Sequence, residues 1–505
     1  MQLILLGLIV ALFLHDTQSL AGATAPAWSW HDSLTSVVAK LAVAGLYALL
    51  CRRTVRQMHK PGAIAALRLA DRGAVVYRQA VLALYVWDLW AGLLTAVRHA
   101  IGDLILIDEL VVLLPPMAML VWAWYVHYPI ERRLREATLI RQLDSGLPVH
   151  PVWTRSEYLL FQVRHHMALT LVPLLVLVAW METVNLLGPP YWSVIDADPR
   201  PILSLSGSVL IFLLAPLLIR HVWDTVALPD GDLRRRLVAM CRQYHVGVRD
   251  LLLWRTYGGM INGAVMGLIA PLRYILLTDA LLERVPTELV EAVMAHELAH
   301  VRKHHMFWLA ATAFCSLTVL TFAWTVAGKA VQTQFPPVSV VYAAPSSEIP
   351  LEQTPPPIHP IGETGVVDWV IALAAIGSWV AVFGWVSRRF ERQADVFAVQ
   401  HLSRQYGGQD APAHPPLVLG VAVGIMSSAL QLVADLNHIS PTRRSWRHGS
   451  IAWRQAYLHT LRGRPLDALP IDRQVRWIKI ATAAALIGLA VLDYWFSPWL
   501  DSLPI

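Results

Sequence analysis

The sequence predicts a mainly α-helical, polytopic membrane protein with one less apolar segment in which short strands and helices alternate. Three observations predict it. Of 505 residues, 56% are hydrophobic and only 15% charged, and the mean hydropathy is +0.49; a soluble chain of this length needs far more charge to cover its surface. Stretches near the ~20 apolar residues that a bilayer core asks of a helix recur along the chain, at 34–50, 80–97, 108–127, 167–187, 202–219, 306–328, 366–387 and 479–497. The 21 tryptophans suit the preference of indole rings for the membrane–water interface.

Taken in order, the opening MQLILLGLIVALFL is short for a span and is followed by the small residues SLAGATA. Residues 1–25 read as a signal peptide with an almost uncharged leading region, or as an uncleaved anchor. Residues 26–220 form a multi-span region with no repeat and no motif of assignable role. Its first span is short and its third carries Pro115-Pro116. Arginine-rich loops (51–78, 128–165, and the stretch after Arg388) alternate with basic-poor ones such as NLLGPPYWSVIDADPRP and the proline-rich 329–365. The positive-inside rule puts the basic loops in the cytoplasm. That assigns 221–305 and 388–478 to one cytoplasmic side, 306–387 to a transmembrane hairpin and 479–505 to a last span. The expected location is a bacterial cytoplasmic membrane.

The net charge of +6 reports this topology and not a nucleic-acid partner, because the basic residues flank apolar spans. Arginine mixed with tryptophan in RRSWRHGSIAWRQ suits anionic lipid headgroups. Cys51, Cys241 and Cys315 have no CxxC spacing and read as reduced structural cysteines.

Residues 221–305 are the least membrane-like. GDLRRRLVAMCRQYHV reads as a short basic helix. The glycines from Gly258 to Gly267 and the run Tyr274–Leu277 predict two short strands. A helix then opens at Pro286-Thr287, with Glu288 and Glu291 in its first turns. It carries EAVMAHELAHVRKHH. Residues four apart share a helix face, so His296 and His300 can hold one zinc ion. Glu297 beside them is suited to take a proton from water and pass it to a leaving amine. Twenty histidines in the chain make the pattern alone only suggestive. A catalytic zinc needs a third protein ligand. Glu391, with Asp395 one turn on, offers a ligand and its supporting partner on the same side of the membrane; the alternative is a solvated interfacial helix.

The stretch NGAVMG…ILLTDALLERVPTELVEAVMAHELAHVRKHH, followed by SRRFERQAD, resembles the integral-membrane zinc peptidases that include HtpX and the type I CAAX prenyl proteases. The resemblance covers about 250–310 and 385–400. It implies a gluzincin-like catalytic domain (HExxH plus distal Glu) with a small β-sheet at the cytoplasmic face, holding one Zn²⁺ per chain. It implies that His296, His300 and Glu391 bind zinc, that Glu297 is the base, and that Asp395 orients a ligand histidine. Asn262-Gly263 falls on the family's strand that pairs with extended substrate. The family's later His-Pro pair is broken here to HISPTRR, which leaves His438 and Arg444 as weak oxyanion or substrate-binding candidates. His305 either supports a ligand or meets a substrate carboxylate; His304 reads as an interfacial polar residue.

The resulting expectation is a membrane-embedded zinc endopeptidase whose partners are a protein or peptide substrate and the lipid bilayer. One rival is a signalling transducer resembling the beta-lactam sensor peptidases, disfavoured by the shortness of loop 329–365. A second is a non-catalytic scaffold, disfavoured by the intact Glu297. A third is a transporter, favoured weakly by Asp88, which lacks an evident basic partner in the sequence; Asp88 and Glu182 lie within spans or at their ends.

Overall fold

The computed structural model describes residues 28–144, 149–187, 199–334, 364–407, 416–437 and 439–500, with short pieces at 4–5, 7–9 and 11–12. The leader over 1–25 and the loop 329–365 fall largely outside the described residues. The chain divides into two units. One comprises Met1–Pro229, Val248–Met260 and Ile269–Arg284; the other comprises Asp230–Gly247, Ile261–Leu268 and Val285–Ile505.

Helices dominate. Among the described residues, five are long and apolar enough to cross a membrane: Trp30–Gln57, Ile107–Ile140, Arg155–Leu186, Arg200–Val222 and Pro470–Val491. A bent pair, Ala63–Trp90 and Leu93–Ile101, makes a sixth if counted as one span. The bend of 60° corrects the continuous span expected at 80–97. Gly92 sits there at φ +97°, a left-handed conformation that no helix interior accommodates. The proline pair in the third span does not break its helix, which runs Ile107–Asp144 through Pro115 and Pro116. The spans expected at 306–328 and 366–387 lie within the helices His305–Gln334 and Thr364–Tyr406.

In the first unit, α1 (Trp30–Gln57), α2 (Ala63–Trp90) and α4 (Ile107–Asp144, after the short α3, Leu93–Ile101) pack on one another. Tyr47, Tyr77, Tyr85 and Leu120 form part of their buried core. The Tyr77 hydroxyl donates to the Met119 carbonyl at 2.8 Å, so the aromatic core also satisfies its polar end. Asp88 is 1% exposed. It accepts from Ser36 Oγ at 2.7 Å and pairs with Lys40, both on α1. The sequence showed Asp88 no basic partner because the partner lies on another helix; the structure corrects that reading. Glu182 accepts from the Leu106 amide at 2.6 Å.

Among the described residues, the same unit holds three strands. β1 (Thr225–Ala227) runs antiparallel to β2 (Asp250–Trp254), with Val226 opposite Leu253. β2 runs parallel to Tyr274–Thr278, with Leu252 opposite Leu276. Tyr274–Thr278 is buried at every residue, as a strand covered on both faces must be. The sequence missed β1 and β2, since a short apolar run such as DLLLW is ambiguous between strand and buried helix. The strand Gly263–Met266 (β3, which makes Tyr274–Thr278 β4) belongs to the second unit.

The second unit is built on the helix Thr287–Arg302, which opens at Pro286 as expected. It packs against Thr364–Tyr406, against Gly420–Leu436, and against β3. The 43-residue helix Thr364–Tyr406 runs beside His305–Gln334 and also meets the helix that begins at Pro470. Ala299, Ala394 and Phe397 pack together with Tyr244, and the two alanines let the central helices approach closely.

Removing the positive end of the Lys40–Asp88 pair leaves a buried carboxylate uncompensated. Lys40→Met is expected to cost about 3–5 kcal/mol, read as a lower unfolding temperature in detergent. Adding Asp88→Leu should recover most of the loss. An unchanged melting temperature in the single variant would show that the pair contributes no net stability.

Candidate active site

His296, Glu297 and His300 project from one stretch of the Thr287–Arg302 helix. The i, i+4 spacing brings the two imidazoles together, with their Nε2 atoms 3.2 Å apart. Glu391, on the Thr364–Tyr406 helix, faces both: its oxygens lie 3.7 Å from His296 Nε2 and 3.8 Å from His300 Nε2. One donor atom from each of the three residues falls within 4.8 Å of the others. Among the described residues this is the one such cluster of metal-ligating side chains.

The partners of the two imidazoles fix which nitrogen carries the proton. His296 Nδ1 stands 2.9 Å from Asp395 Oδ1, inside ion-pair reach although the contact falls short of hydrogen-bond geometry. A proton on Nδ1 satisfies that carboxylate and leaves Nε2 a lone pair. His300 Nδ1 lies 3.1 Å from His305 Nδ1. His305 Nε2 in turn lies 2.8 Å from the Gln393 carbonyl oxygen, and the Gln393 amide donates to Asp472 at 2.6 Å. Gln393 must donate through nitrogen and accept through oxygen, so His305 carries its proton on Nε2 and accepts from His300 on Nδ1. His300 Nε2 is therefore also a lone pair. Two lone pairs 3.2 Å apart beside a carboxylate repel one another unless a cation lies between them, so this donor set fits a divalent metal ion.

His305 reaches back to His300 because the chain turns sharply before it. His304 adopts φ +55°, which ends one helix and starts the next at His305. The His305 ring is buried and stacks on Phe390 with centroids 4.7 Å apart. Buried there, His305 faces His300 and Gln393, the contacts expected of a support for a ligand histidine.

Arg454, on the helix Ile451–His459, is the residue that the sequence did not single out. It is 6% exposed. Its Nε and Nη2 donate to the two oxygens of Asp395 at 2.7 and 2.5 Å, and its Nη1 lies 3.3 Å from Glu391. His448 Nδ1 stands 3.0 Å from the other Glu391 oxygen. No local periodicity links Arg454 to Glu391; the one signal was an arginine inside the otherwise amphipathic IAWRQAYLH. Arg444, the arginine expected near the site, is exposed, and His438 lies outside the described residues. Asn262 and Gly263 open β3, which lies along the HExxH helix. Just before them, Asn437 clamps Ile261, accepting from its amide at 3.0 Å and donating to its carbonyl at 2.8 Å.

Burial sets the electrostatics. It pushes the Glu297 carboxyl up to about 7, with Glu391 adding to the rise and His296 opposing it. It pushes His300 down to about 4. Burial works against the charge on His296, but pairing with Asp395 outweighs it and raises His296. Burial likewise opposes ionisation of Asp395 and Glu391. Arg454 prevails at the first, and His448 together with Arg454 at the second, so both carboxyls are held low.

Residues 234–414 match the model of peptidase family M48, a segment that contains the HExxH helix and the helix of Glu391 but not Arg454. A solved structure, that of S. mikatae Ste24p, is similar at a TM-score of 0.40 and 13% identity, over 85% of this chain and 99% of that one. No protein of curated function matches the chain. The match to peptidase family M48 over this segment agrees with the resemblance seen in the sequence to the integral-membrane HExxH metallopeptidases, and the segment holds a group of side chains that could bind a metal ion.

Arg454→Met would leave Asp395 and the candidate metal ligand Glu391 without their shared counter-charge. Metal affinity should fall about 10–100-fold, as for other losses of ligand support. Arg454→Lys should recover only part of it, since an ammonium cannot bridge both oxygens of Asp395. Competition with a chromophoric chelator measures both; equal affinity in wild type and the methionine variant would remove Arg454 from the site.

Proposed function

We propose that this chain, a multi-pass membrane protein with a peptidase family M48 segment, is a zinc-dependent endopeptidase that cleaves membrane proteins or peptides at the cytoplasmic face. The observation that carries the reading is the convergence of the His296 and His300 Nε2 lone pairs beside Glu391. Two neutral imidazoles and one carboxylate are the donor set of a catalytic zinc, which keeps a further position for water or substrate. These three residues would hold one zinc ion, which when bound supplies Lewis acidity to polarise the scissile carbonyl and acidify water.

Glu297 lies next to His296 and is not used as a ligand. Its carboxyl, poised near 7, is matched to taking a proton from the attacking water and releasing it to the leaving amine at neutral pH. Asp395 and Arg454 keep His296 and Glu391 in place; His305 and Gln393 do so for His300. β3, with Asn262 and Gly263 at its start, offers backbone against which a substrate strand can extend. The cytoplasmic placement rests on the arginine-rich loops that contain both halves of the site.

The test is proteolysis of an unfolded protein substrate by the detergent-purified chain, beside Glu297→Gln. The variant should bind as much zinc as wild type and lose about 10²–10⁴-fold in kcat/KM. A chelator should abolish wild-type cleavage, and added zinc should restore it. Equal cleavage by wild type and variant would end the proposed role of Glu297.

A further inference from the structure

Away from the HExxH face, the second unit contains a cavity of about 680 Å³. It is lined by five cationic side chains, Arg302, Lys303, Arg404, Arg476 and Lys479, against two carboxylates, Asp467 and Asp472. Both carboxylates are already engaged. Asp472 lies 3.5 Å from Lys303 and accepts from Gln393; Asp467 lies 3.8 Å from Arg404. Lys479 donates to the Lys303 carbonyl and lies over the Trp308 ring. Among the described residues no carboxylate pairs with Arg302 or Arg476, and both are exposed. The cavity thus holds an excess of fixed positive charge that the protein does not neutralise itself.

Its position gives that charge a use. Lys303 ends the HExxH helix just before the apolar stretch His305–Leu320, and Arg476 and Lys479 stand in the first turns of the candidate span Pro470–Val491. Two apolar helices therefore leave from the cavity wall, and basic residues at the ends of membrane helices are the ones that meet phospholipid headgroups. The volume is within the range of small-ligand pockets.

We propose that this cavity binds a phosphate-bearing anion, contributed by the headgroup of an anionic phospholipid or by a free phosphate, with Arg302 and Arg476 as its principal contacts. Guanidinium groups match phosphate oxygens in a planar, two-pronged geometry that an ammonium does not offer. The inference does not depend on the peptidase reading, and its test does not measure proteolysis.

The test follows the unfolding temperature of the full chain in neutral detergent during titration with phosphatidylglycerol, phosphatidylcholine or inorganic phosphate. Wild type is compared with Arg302→Gln/Arg476→Gln and with Arg242→Gln/Arg462→Gln, which removes the same charge from exposed positions outside the cavity. Phosphatidylglycerol should raise the wild-type temperature saturably and phosphatidylcholine should not. The cavity variant should need at least about tenfold more ligand for the same shift, while the control pair behaves as wild type. A saturable shift with inorganic phosphate, lost in the cavity variant, would identify the free anion as sufficient; a shift with phosphatidylglycerol alone would identify the lipid. No shift with either, or equal loss in both arginine pairs, would overturn the proposal.

Discussion

The unit that holds the candidate site depends on one buried ion pair, the two-pronged contact of Arg454 with Asp395. Burying a carboxylate costs several kcal/mol unless a charge and hydrogen bonds compensate it. Here Asp395 and Glu391, one helical turn apart, share a single guanidinium. The pair holds three helices in register: the HExxH helix through His296, the long helix through Asp395, and the later helix through Arg454. A shift of any one of them would leave charge without a partner.

A second, neutral network does for His300 what the ion pair does for His296. From Asp472 through Gln393 and His305, each hydrogen bond dictates the direction of the next. The outcome is an imidazole with its free nitrogen turned toward Glu391. His296 is thus oriented by charge and His300 by a chain of fixed donors and acceptors. The two routes converge on one point. The left-handed turn at His304 is what allows the second route to close.

The membrane helices of the first unit follow a related rule. Asp88 is paired with Lys40, and Arg98 lies 2.6 Å from Asp108 and 2.8 Å from Glu109. These contacts compensate acids that would otherwise be costly among apolar helices. An Asp88 so paired gives the transporter reading no unpartnered charge to build on. Charge pairing in this unit therefore reads as internal structure, and the chemistry lies with the second unit.

Local order was legible in the sequence. Apolar length gave most of the long helices, the i, i+4 spacing gave the histidine pair, and Pro286-Thr287 marked the start of their helix. Glu391 and Asp395 were legible because they too lie one turn apart on a single helix. The bend at Gly92, the short strands β1 and β2, and the partner of Asp88 were not, because each is settled by contacts between segments distant in the chain. The same holds for Arg454 and for the proton pattern on His296, His300 and His305. Periodicity constrains which residues share a face of one helix; it carries no information on which other helix that face will meet. The sequence by itself determined the membrane character, the candidate metal-ligating residue types and their local spacing. Only the tertiary structure decided which buried charge compensates Asp395 and Glu391, since desolvated charges are matched by proximity in space and not by distance along the chain.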